Sequence, residues 1–519
     1  MHDDKHLSLH TDSLFRSLLE LCKKYRYPLL SSLFFGFLSY TFLFTNKLPN
    51  HDDLASLFNV GATFISGRWA LALFSWFIPH ISTPWFHGVV TMLLISTACC
   101  ILVSAFQIQN HLIQSLMAGV IIAFPSLLST LGYMFTAPYY AISFLLATLA
   151  VWFVSRDRRS GFLLAVVCGT LSLGIYQAYI GIISSLLVTL LLQKVLYSDV
   201  PPRKIFQKGM QFLLLLATIL LFYSGITFLT QSFANIEMGT YASDALDISL
   251  PILDRILLCY QSFGEILLDS SLRLLPAHGL RELNLILLVI VVVELLLCGL
   301  RRSRRGYLPL LALLALLYPA SVTCIYLFVD ANSVHALVMY SFAMVYVLAA
   351  VVLDGGIRIV SGKVLLDRCR ALCMDAALLA MSLLLVGNCM RSNAASLNLF
   401  FNYENNYALA TSIITQMQMT PGYDPETPVA LFGDLPNSYH PALAPLHDVH
   451  ALTGMSGIST AAYSYQDFWE CYLGTHVPFA GYSDKQALLE TEEFQQMPTY
   501  PSEGYIQMIG DFIVVKLPA

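Results

Sequence analysis

Residues 86–106 have the sequence FHGVVTMLLISTACCILVSAF, which contains no charged side chain. A helix needs about 20 mostly apolar residues to cross the hydrocarbon core of a bilayer. This stretch therefore predicts a membrane-spanning helix.

The rest of the chain is also rich in apolar residues and poor in charged ones. Its 519 residues are 57% hydrophobic and 12% charged, and the mean hydropathy is +0.66. An ordinary soluble domain is roughly half apolar and about a quarter charged. The net charge of −5 gives no basic field for a nucleic acid. Eleven cysteines without a C-x-x-C pair indicate neither a disulfide framework nor a zinc site.

The same apolar pattern recurs along the sequence and predicts a polytopic α-helical membrane protein with about eleven spans. The pair 161–176 and 179–196 could also form one long helix on hydropathy alone. The predicted spans are 28–45, 86–106, 114–133, 138–155, 161–176, 179–196, 209–229, 284–300, 307–329, 336–354 and 371–390.

The distribution of basic residues predicts the orientation of these spans. Cytoplasmic loops carry an excess of Lys and Arg, and 20 of the 28 basic residues fall on one side of the eleven-span arrangement. Merging the 161–196 pair would place the clusters at Arg156 and Lys194 on opposite sides, so two helices are expected. We expect a bacterial inner-membrane protein with a cytoplasmic N-terminus and an extracytoplasmic C-terminus.

The predicted spans divide the chain into three regions. Residues 1–27 are polar and then amphipathic, which is typical of a cytosolic helix on the membrane surface. Residues 28–390 form the transmembrane domain, with outer loops at 45–85 and 230–283. The second loop contains helical spacing over 253–267, which predicts a helix lying along the interface. Residues 391–519 predict a small extracytoplasmic α/β domain.

The predicted elements of that C-terminal domain alternate between helix and strand. The spacing favours a terminal β-hairpin made by its last two strands. The elements are a helix over 395–417, a strand over 428–432, helices over 466–473 and 484–494, and strands over 505–508 and 511–517.

The first outer loop carries the residues that suggest chemistry. Asp52 and Asp53 follow the first span closely, and Arg68 heads a segment with apolar residues at helical spacing. Moving a sugar off a lipid phosphate needs a carboxylate to take the acceptor's proton and a cation for the departing phosphate. Either aspartate with Arg68 would supply both. The alternative is that the acids cap a helix and that Arg68 snorkels to headgroups.

The order of these motifs resembles the Gtr family of serotype-converting O-antigen glucosyltransferases, within the GT-C class of polyprenol-dependent enzymes. The many-span layout and the C-terminal domain agree with that resemblance over the whole chain. The motifs are Asp52-Asp53, Ser66-Gly67-Arg68-Trp69 and Leu171-Ser172-Leu173-Gly174-Ile175-Tyr176-Gln177.

The resemblance implies an inverting transfer of a sugar, typically glucose, from undecaprenyl phosphate to a glycan on the outer side of the membrane. Its base is an aspartate of the first loop, here Asp53 or Asp52, with Asp53 preferred. The acceptor is O-antigen or another cell-surface polysaccharide such as a cell-wall or teichoic-acid polymer. The membrane lipids are the remaining partner.

Candidate substrate-binding residues surround the two aspartates. Tyr176 would stack on the sugar and Gln177 would bond its hydroxyls, although Tyr is also a common interfacial anchor. His335 in a smaller outer turn could touch the donor or acceptor, or be a hydrated loop residue. The set consists of Arg68, Trp69, Lys47, Tyr176, Gln177 and His335.

No cofactor or metal is expected, because the first loop contains no D-x-D cluster. A transporter or flippase of lipid-linked sugars would share the apolar bulk. Transporters often show paired repeats and broken helices at mid-membrane, whereas the candidate polar residues here gather at the outer boundary and no repeat is visible. A surface receptor or assembly scaffold is the third possibility.

Overall fold

The computed structural model describes most of the chain. The described residues are 10–78, 80–156, 159–236, 250–268, 280–302, 306–330, 334–358, 364–433, 446, 449, 452 and 464–518. Parts of the predicted second loop, 237–249 and 269–279, lie outside them.

Helices make up nearly all of the described part before residue 420. Short 3-10 segments at Phe64–Ser66, Gln177–Tyr179, Cys324–Leu327 and Ala336–Ala343 connect some of them. The α-helices are α1 (His10–Lys24), α2 (Arg26–Thr45), α3 (His51–Ala55), α4 (Trp69–Phe74), α5 (Pro84–Phe106), α6 (His111–Ile122), α7 (Pro125–Gly132), α8 (Ala137–Ser155), α9 (Arg159–Ile175), α10 (Ile180–Tyr197), α11 (Pro202–Ala234), α12 (Ile252–Leu268), α13 (Leu280–Arg302), α14 (Leu308–Val322), α15 (Met344–Ile357) and α16 (Val364–Met419).

Eight of the helical segments in the described ranges are long and apolar enough to cross a membrane. The pair α6 and α7, bent by 40° at a break before Pro125, would add a ninth crossing. Eight or nine of the eleven predicted spans therefore pass this test of length and composition. The spans predicted at 161–176 and 307–329 correspond to α9 and α14, which are apolar but shorter. The chain is a polytopic helical membrane protein.

The helices pack around α10. This helix is buried along almost its whole length, whereas α11 exposes most of its apolar surface. Exposed leucines and phenylalanines on α11 are expected where a helix faces lipid rather than water. A single apolar cluster extends through the bundle from α2 to the first half of α16.

The predicted break between α9 and α10 is confirmed. Helix α9 ends at Ile175, Tyr176 is extended with φ −150° and ψ 108°, and α10 begins at Ile180. Gly174, in the last turn of α9, has no room for a side chain, since a Cβ there would lie 2.7 Å from the Trp69 ring. This close approach fixes α4 against α9.

Helix α16 differs from the prediction. The expected span at 371–390 and the expected helix at 395–417 form one helix of 56 residues. At 1.5 Å per residue it is roughly 84 Å long, far more than the roughly 30 Å of a bilayer core. Arg391, where the predicted C-terminal domain begins, is buried within the helix, and no proline interrupts the helix there. Its second half leads into the C-terminal region.

The C-terminal region contains a three-stranded sheet, formed by β1 (Val429–Phe432), β2 (Ile506–Ile509) and β3 (Phe512–Lys516). Strand β3 lies in the centre, parallel to β1 and antiparallel to β2. The predicted terminal hairpin is confirmed.

Three short helices complete this region: α17 (Tyr465–Cys471), α18 (Tyr482–Leu489) and α19 (Glu492–Gln496). The single helix predicted over 484–494 is divided, because Thr491 caps α19 by accepting a hydrogen bond from the Phe494 amide.

Alternate residues of the strands face two apolar layers. One face, with Val429 and Ile513, packs against α16 and α17, and the other, with Ala430 and Val514, packs against α18 and α19.

Candidate active site

The two aspartates lie on α3, a single helical turn. Asn50 caps this turn, because its side-chain oxygen accepts a hydrogen bond from the Asp53 amide at 2.9 Å. The carboxylates of Asp52 and Asp53 are thus free of the capping role that the sequence alone left open to them. Successive residues of a helix are rotated by about 100°, so the two side chains point in different directions.

Asp53 points into the protein and is 1% exposed. Its carboxylate forms an ion pair with Lys47 and accepts hydrogen bonds from the Ser82 hydroxyl at 2.5 Å and the Phe135 amide at 3.1 Å. Lys47 also donates to the Ser82 hydroxyl at 2.9 Å. Asp53 therefore ties α3 to the start of α5 and to the segment before α8.

Asp52 faces a cavity of about 790 Å³. Its side chain is 42% exposed, and the His51 ring nitrogen Nε2 lies 3.9 Å from its Oδ1. The volume falls within the range of about 300–1,000 Å³ that is usual for small-molecule sites. Asp53, Lys47 and Trp69 are not among the described residues that line this cavity.

The cavity is lined by both polar and apolar residues. Arg68, Gln177 and His335 contribute polar groups alongside Asp52. Helix α11 and the short segments at 325–329 and 337–338 contribute many of the apolar ones. These apolar lining residues are Leu220, Phe228, Ile325, Phe328, Val329, Leu337 and Val338. Such a space suits a molecule with a polar head and an apolar tail.

Arg68 lies over two stacked aromatic rings. The Tyr140 and Tyr176 rings are 4.2 Å apart and nearly parallel, and the Arg68 guanidinium carbon lies 6.0 Å and 5.5 Å from their centroids. An arginine within about 6 Å of a ring face is attracted by it, more strongly when both are desolvated. The two tyrosines hold the cation at the cavity wall.

The loop that carries Arg68 is fastened from two helices. Gln177 donates to the Ser66 carbonyl at 2.6 Å, and Gln231 donates to the Phe64 carbonyl at 3.1 Å. Gly67 has φ +68°, and a Cβ there would lie 2.8 Å from the Tyr223 hydroxyl. The turn before Arg68 therefore requires glycine for both its backbone conformation and its space.

Comparison with known families provides the identification. The chain matches the family described as Glucosyl transferase GtrII over residues 41–348. This match covers more than half of the sequence. The chain belongs to the GtrII glucosyltransferase family. Searches of curated proteins and of solved structures found no match.

Membership makes this membrane protein a glycosyltransferase, with a sugar donor and an acceptor as its substrates. The matched range includes the first loop, Arg68, the Tyr176-Gln177 break and the His335 turn. In this GtrII-family enzyme the cavity therefore lies within the matched part of the chain. Among the described residues, no group of three or more His, Cys, Asp or Glu side chains is placed to hold a metal ion.

Of the candidate residues, the structure brings Asp52, Arg68, Tyr176, Gln177 and His335 to one cavity. Lys47 pairs with Asp53 outside it, and Trp69 packs against Gly174.

Sequence reasoning missed three residues that lie in or next to the candidate site of this GtrII-family protein. Tyr140 lines the cavity and stacks on Tyr176. The Ser82 hydroxyl donates a hydrogen bond to Asp53. The Tyr223 hydroxyl packs against Gly67. Tyr140 had one available signal, because it is an aromatic residue near the start of a predicted span, as Tyr176 is at the end of another. Ser82 and Tyr223 carry no local pattern that distinguishes them.

Proposed function

We propose that this GtrII-family enzyme transfers glucose from undecaprenyl phosphate to a cell-surface glycan such as O-antigen, on the outer face of the bacterial inner membrane. The observation that supports this proposal is a single cavity that combines a carboxylate, an arginine held on aromatic rings and many apolar lining residues. A lipid-linked sugar phosphate has the complementary parts. The apolar lining residues would accept the first isoprene units, and the polar groups would accept the sugar and phosphate.

In this mechanism Asp52 is the general base. Its carboxylate takes the proton of the acceptor hydroxyl while that oxygen forms a bond to the anomeric carbon. The bond between the anomeric carbon and the phosphate oxygen breaks, and the phosphate leaves with the electron pair. Attack from the face opposite the phosphate inverts the anomeric centre.

Asp52 is a better base than Asp53, which the sequence favoured. Asp53 already accepts hydrogen bonds from a lysine, a hydroxyl and a backbone amide. An acceptor hydroxyl would have to displace one of these partners to reach the oxygens of Asp53. Its burial also keeps it away from an acceptor.

Arg68 is the phosphate partner in this proposal. The guanidinium offers several donors in one plane, which suits a phosphate that gains charge as the bond breaks. Tyr176 and Tyr140 would hold the cation in place, and Gln177 would hold its loop. His335, which also lines the cavity, would contact the sugar or the acceptor.

The experiment is a transfer assay with purified enzyme, undecaprenyl-phosphate-glucose and a glycan acceptor. Wild-type protein should yield a new glycoside and free undecaprenyl phosphate, and Asp52→Asn should lower kcat by about 10²–10⁴-fold. Asp484→Asn, the same change on an exposed aspartate of α18, is the matched control and should keep full activity. Unchanged transfer by Asp52→Asn would reject Asp52 as the base. Movement of the lipid across vesicles without a new glycoside would favour a flippase.

The proposed orientation has its own test. With the N-terminus in the cytoplasm and the C-terminus outside, a phosphatase fused after Ala519 should be active in intact cells. Activity only after lysis would place the cavity end of the protein on the cytoplasmic side.

A further inference from the structure

Three successive side chains of α3 enter three different environments. Asp52 faces the cavity, Asp53 enters the polar cluster with Lys47 and Ser82, and Leu54 enters the apolar core of the C-terminal region. A helix of five residues has no stability of its own, because the first turn costs more entropy than its one hydrogen bond returns. Its position must come from the contacts on its two buried sides.

Leu54 is 1% exposed and belongs to the core between the sheet and helices α16 and α17. All other buried members of this cluster come from residues 410–517. They are Ala410, Ile413, Ile414, Met417, Val429, Leu431, Tyr465, Phe468, Trp469, Val477, Tyr505, Ile513, Val515 and Leu517. One leucine of the first loop thus completes the core of a region more than 350 residues later in the sequence.

Helix α17 provides the surface against which α3 packs. The rings of Tyr403, Phe468 and Tyr472 contact one another with centroids 5.6–6.3 Å apart, which joins α17 to α16. Burial and, next, the negative charge of Asp53 raise the pKa of the Tyr472 hydroxyl. The end of α17 is thus electrostatically coupled to α3 as well as packed against it.

We infer that Leu54 is a positioning residue through which the C-terminal region holds Asp52 at the cavity. This inference rests on the proposed function of Asp52. The polar cluster anchors one side of α3 and Leu54 anchors the other, so the direction of Asp52 depends on both. The C-terminal region is then part of the catalytic apparatus, in addition to any contact that it makes with the acceptor glycan.

The test compares Leu54→Ala with Leu488→Ala in the full-length enzyme. Leu488 is 5% exposed and packs on the other face of the same sheet, so its truncation disturbs the C-terminal region without touching α3. Leu54→Ala should lower kcat by about 10- to 100-fold, since a displacement of about 1 Å can have that effect. Its KM for the lipid donor should stay within about threefold, because Leu54 does not line the cavity.

Two further variants separate positioning from general damage. Leu54→Met keeps the volume of the side chain and should restore kcat to within about threefold of wild type. If Leu54→Ala fails to fold, Leu54→Val takes its place with a smaller decrease expected in the same direction. Leu488→Ala should keep kcat within about threefold once rates are normalised to folded protein.

The outcomes distinguish this inference from the proposed function. Equal decreases in kcat for Leu54→Ala and Leu488→Ala would overturn it, and so would an unchanged kcat for Leu54→Ala. A wild-type enzyme that makes no glycoside would instead reject the proposed function.

Discussion

Asp53 and Glu294 are both buried carboxylates that pair with a cation, and they lie near opposite ends of α16. Asp53 pairs with Lys47 beside α3, which packs near the second half of that helix. Glu294 on α13 pairs with Arg370 in the second turn of α16, where the Arg370 Nε donates to both carboxylate oxygens at 2.9 Å and 3.1 Å. The chemistry of the two pairs is similar.

Their surroundings differ. The Glu294 pair is enclosed, with side chains 2% and 8% exposed, and neither residue is among the described lining of a cavity. The Asp53 pair adjoins a cavity, and the residue before it presents a second carboxylate there. The proposed site therefore rests on the adjacent cavity with its second, accessible carboxylate, and not on the buried charge pair alone.

The largest expected effect on stability is at the enclosed pair. Glu294→Gln removes the carboxylate that pairs with the buried Arg370 charge, which should lower the free energy of unfolding by about 3–5 kcal/mol. The kcat of the folded fraction should not change, because the pair is remote from the cavity. Denaturant titration in detergent micelles, combined with the transfer assay, measures both quantities.

An apolar double replacement is the control for this prediction. Glu294→Leu with Arg370→Met should recover most of the lost stability, since two buried charges can be replaced by packed apolar groups at little cost. A double variant that is stable but inactive would contradict the comparison and assign a functional role to this pair.

Breaking the pair between Asp53 and Lys47 should cost less stability than breaking the pair between Glu294 and Arg370, but more activity. Asp53→Asn should lower the free energy of unfolding by about 2–3 kcal/mol, because Lys47 is 24% exposed and keeps part of its hydration. The kcat should fall by about 10-fold or more, since α3 loses one of its two anchors. A decrease in stability with no change in kcat would show that Asp53 does not position Asp52.

The smallest effect is expected from Ser82→Ala. This change removes a donor to Asp53 and an acceptor for Lys47, and should cost about 1 kcal/mol of stability. The kcat should fall by about two- to fivefold, as roughly 1 kcal/mol or less of the transition-state barrier is affected. Ser185→Ala is the matched control, because that buried hydroxyl donates only to carbonyls of its own helix, at Gly181 and Ile182. It should leave kcat unchanged.

The fold was predictable because hydropathy is a local property. The predicted spans at 86–106 and 138–155 agree with α5 and α8 to within two residues, and the break at Tyr176 lies where the basic clusters required it. The continuity of α16 was not predictable. A charged residue such as Arg391 is typical of the end of a span in sequence, but here it is buried within the continuous helix.

The candidate site was predicted in part. The order of the motifs along the sequence identified Asp52, Arg68 and Tyr176 as candidate site residues, and the structure brings them to one cavity. The same reasoning placed Lys47 and Trp69 among the binding residues, whereas one pairs with Asp53 and the other packs against Gly174. Charge and aromaticity identify a candidate residue, but they do not give the direction of its side chain.

The sequence by itself determined a membrane-embedded glucosyltransferase, because the length of an apolar run and the order of family motifs are written in consecutive residues. The tertiary structure alone decided which of two adjacent aspartates faces the cavity. On a single helical turn that choice depends on partners far away in the chain, with Ser82 and Phe135 holding Asp53 and the C-terminal core holding Leu54. Asp52 faces the cavity because the two residues that follow it are buried: Asp53 in the polar cluster and Leu54 in the core of the C-terminal region.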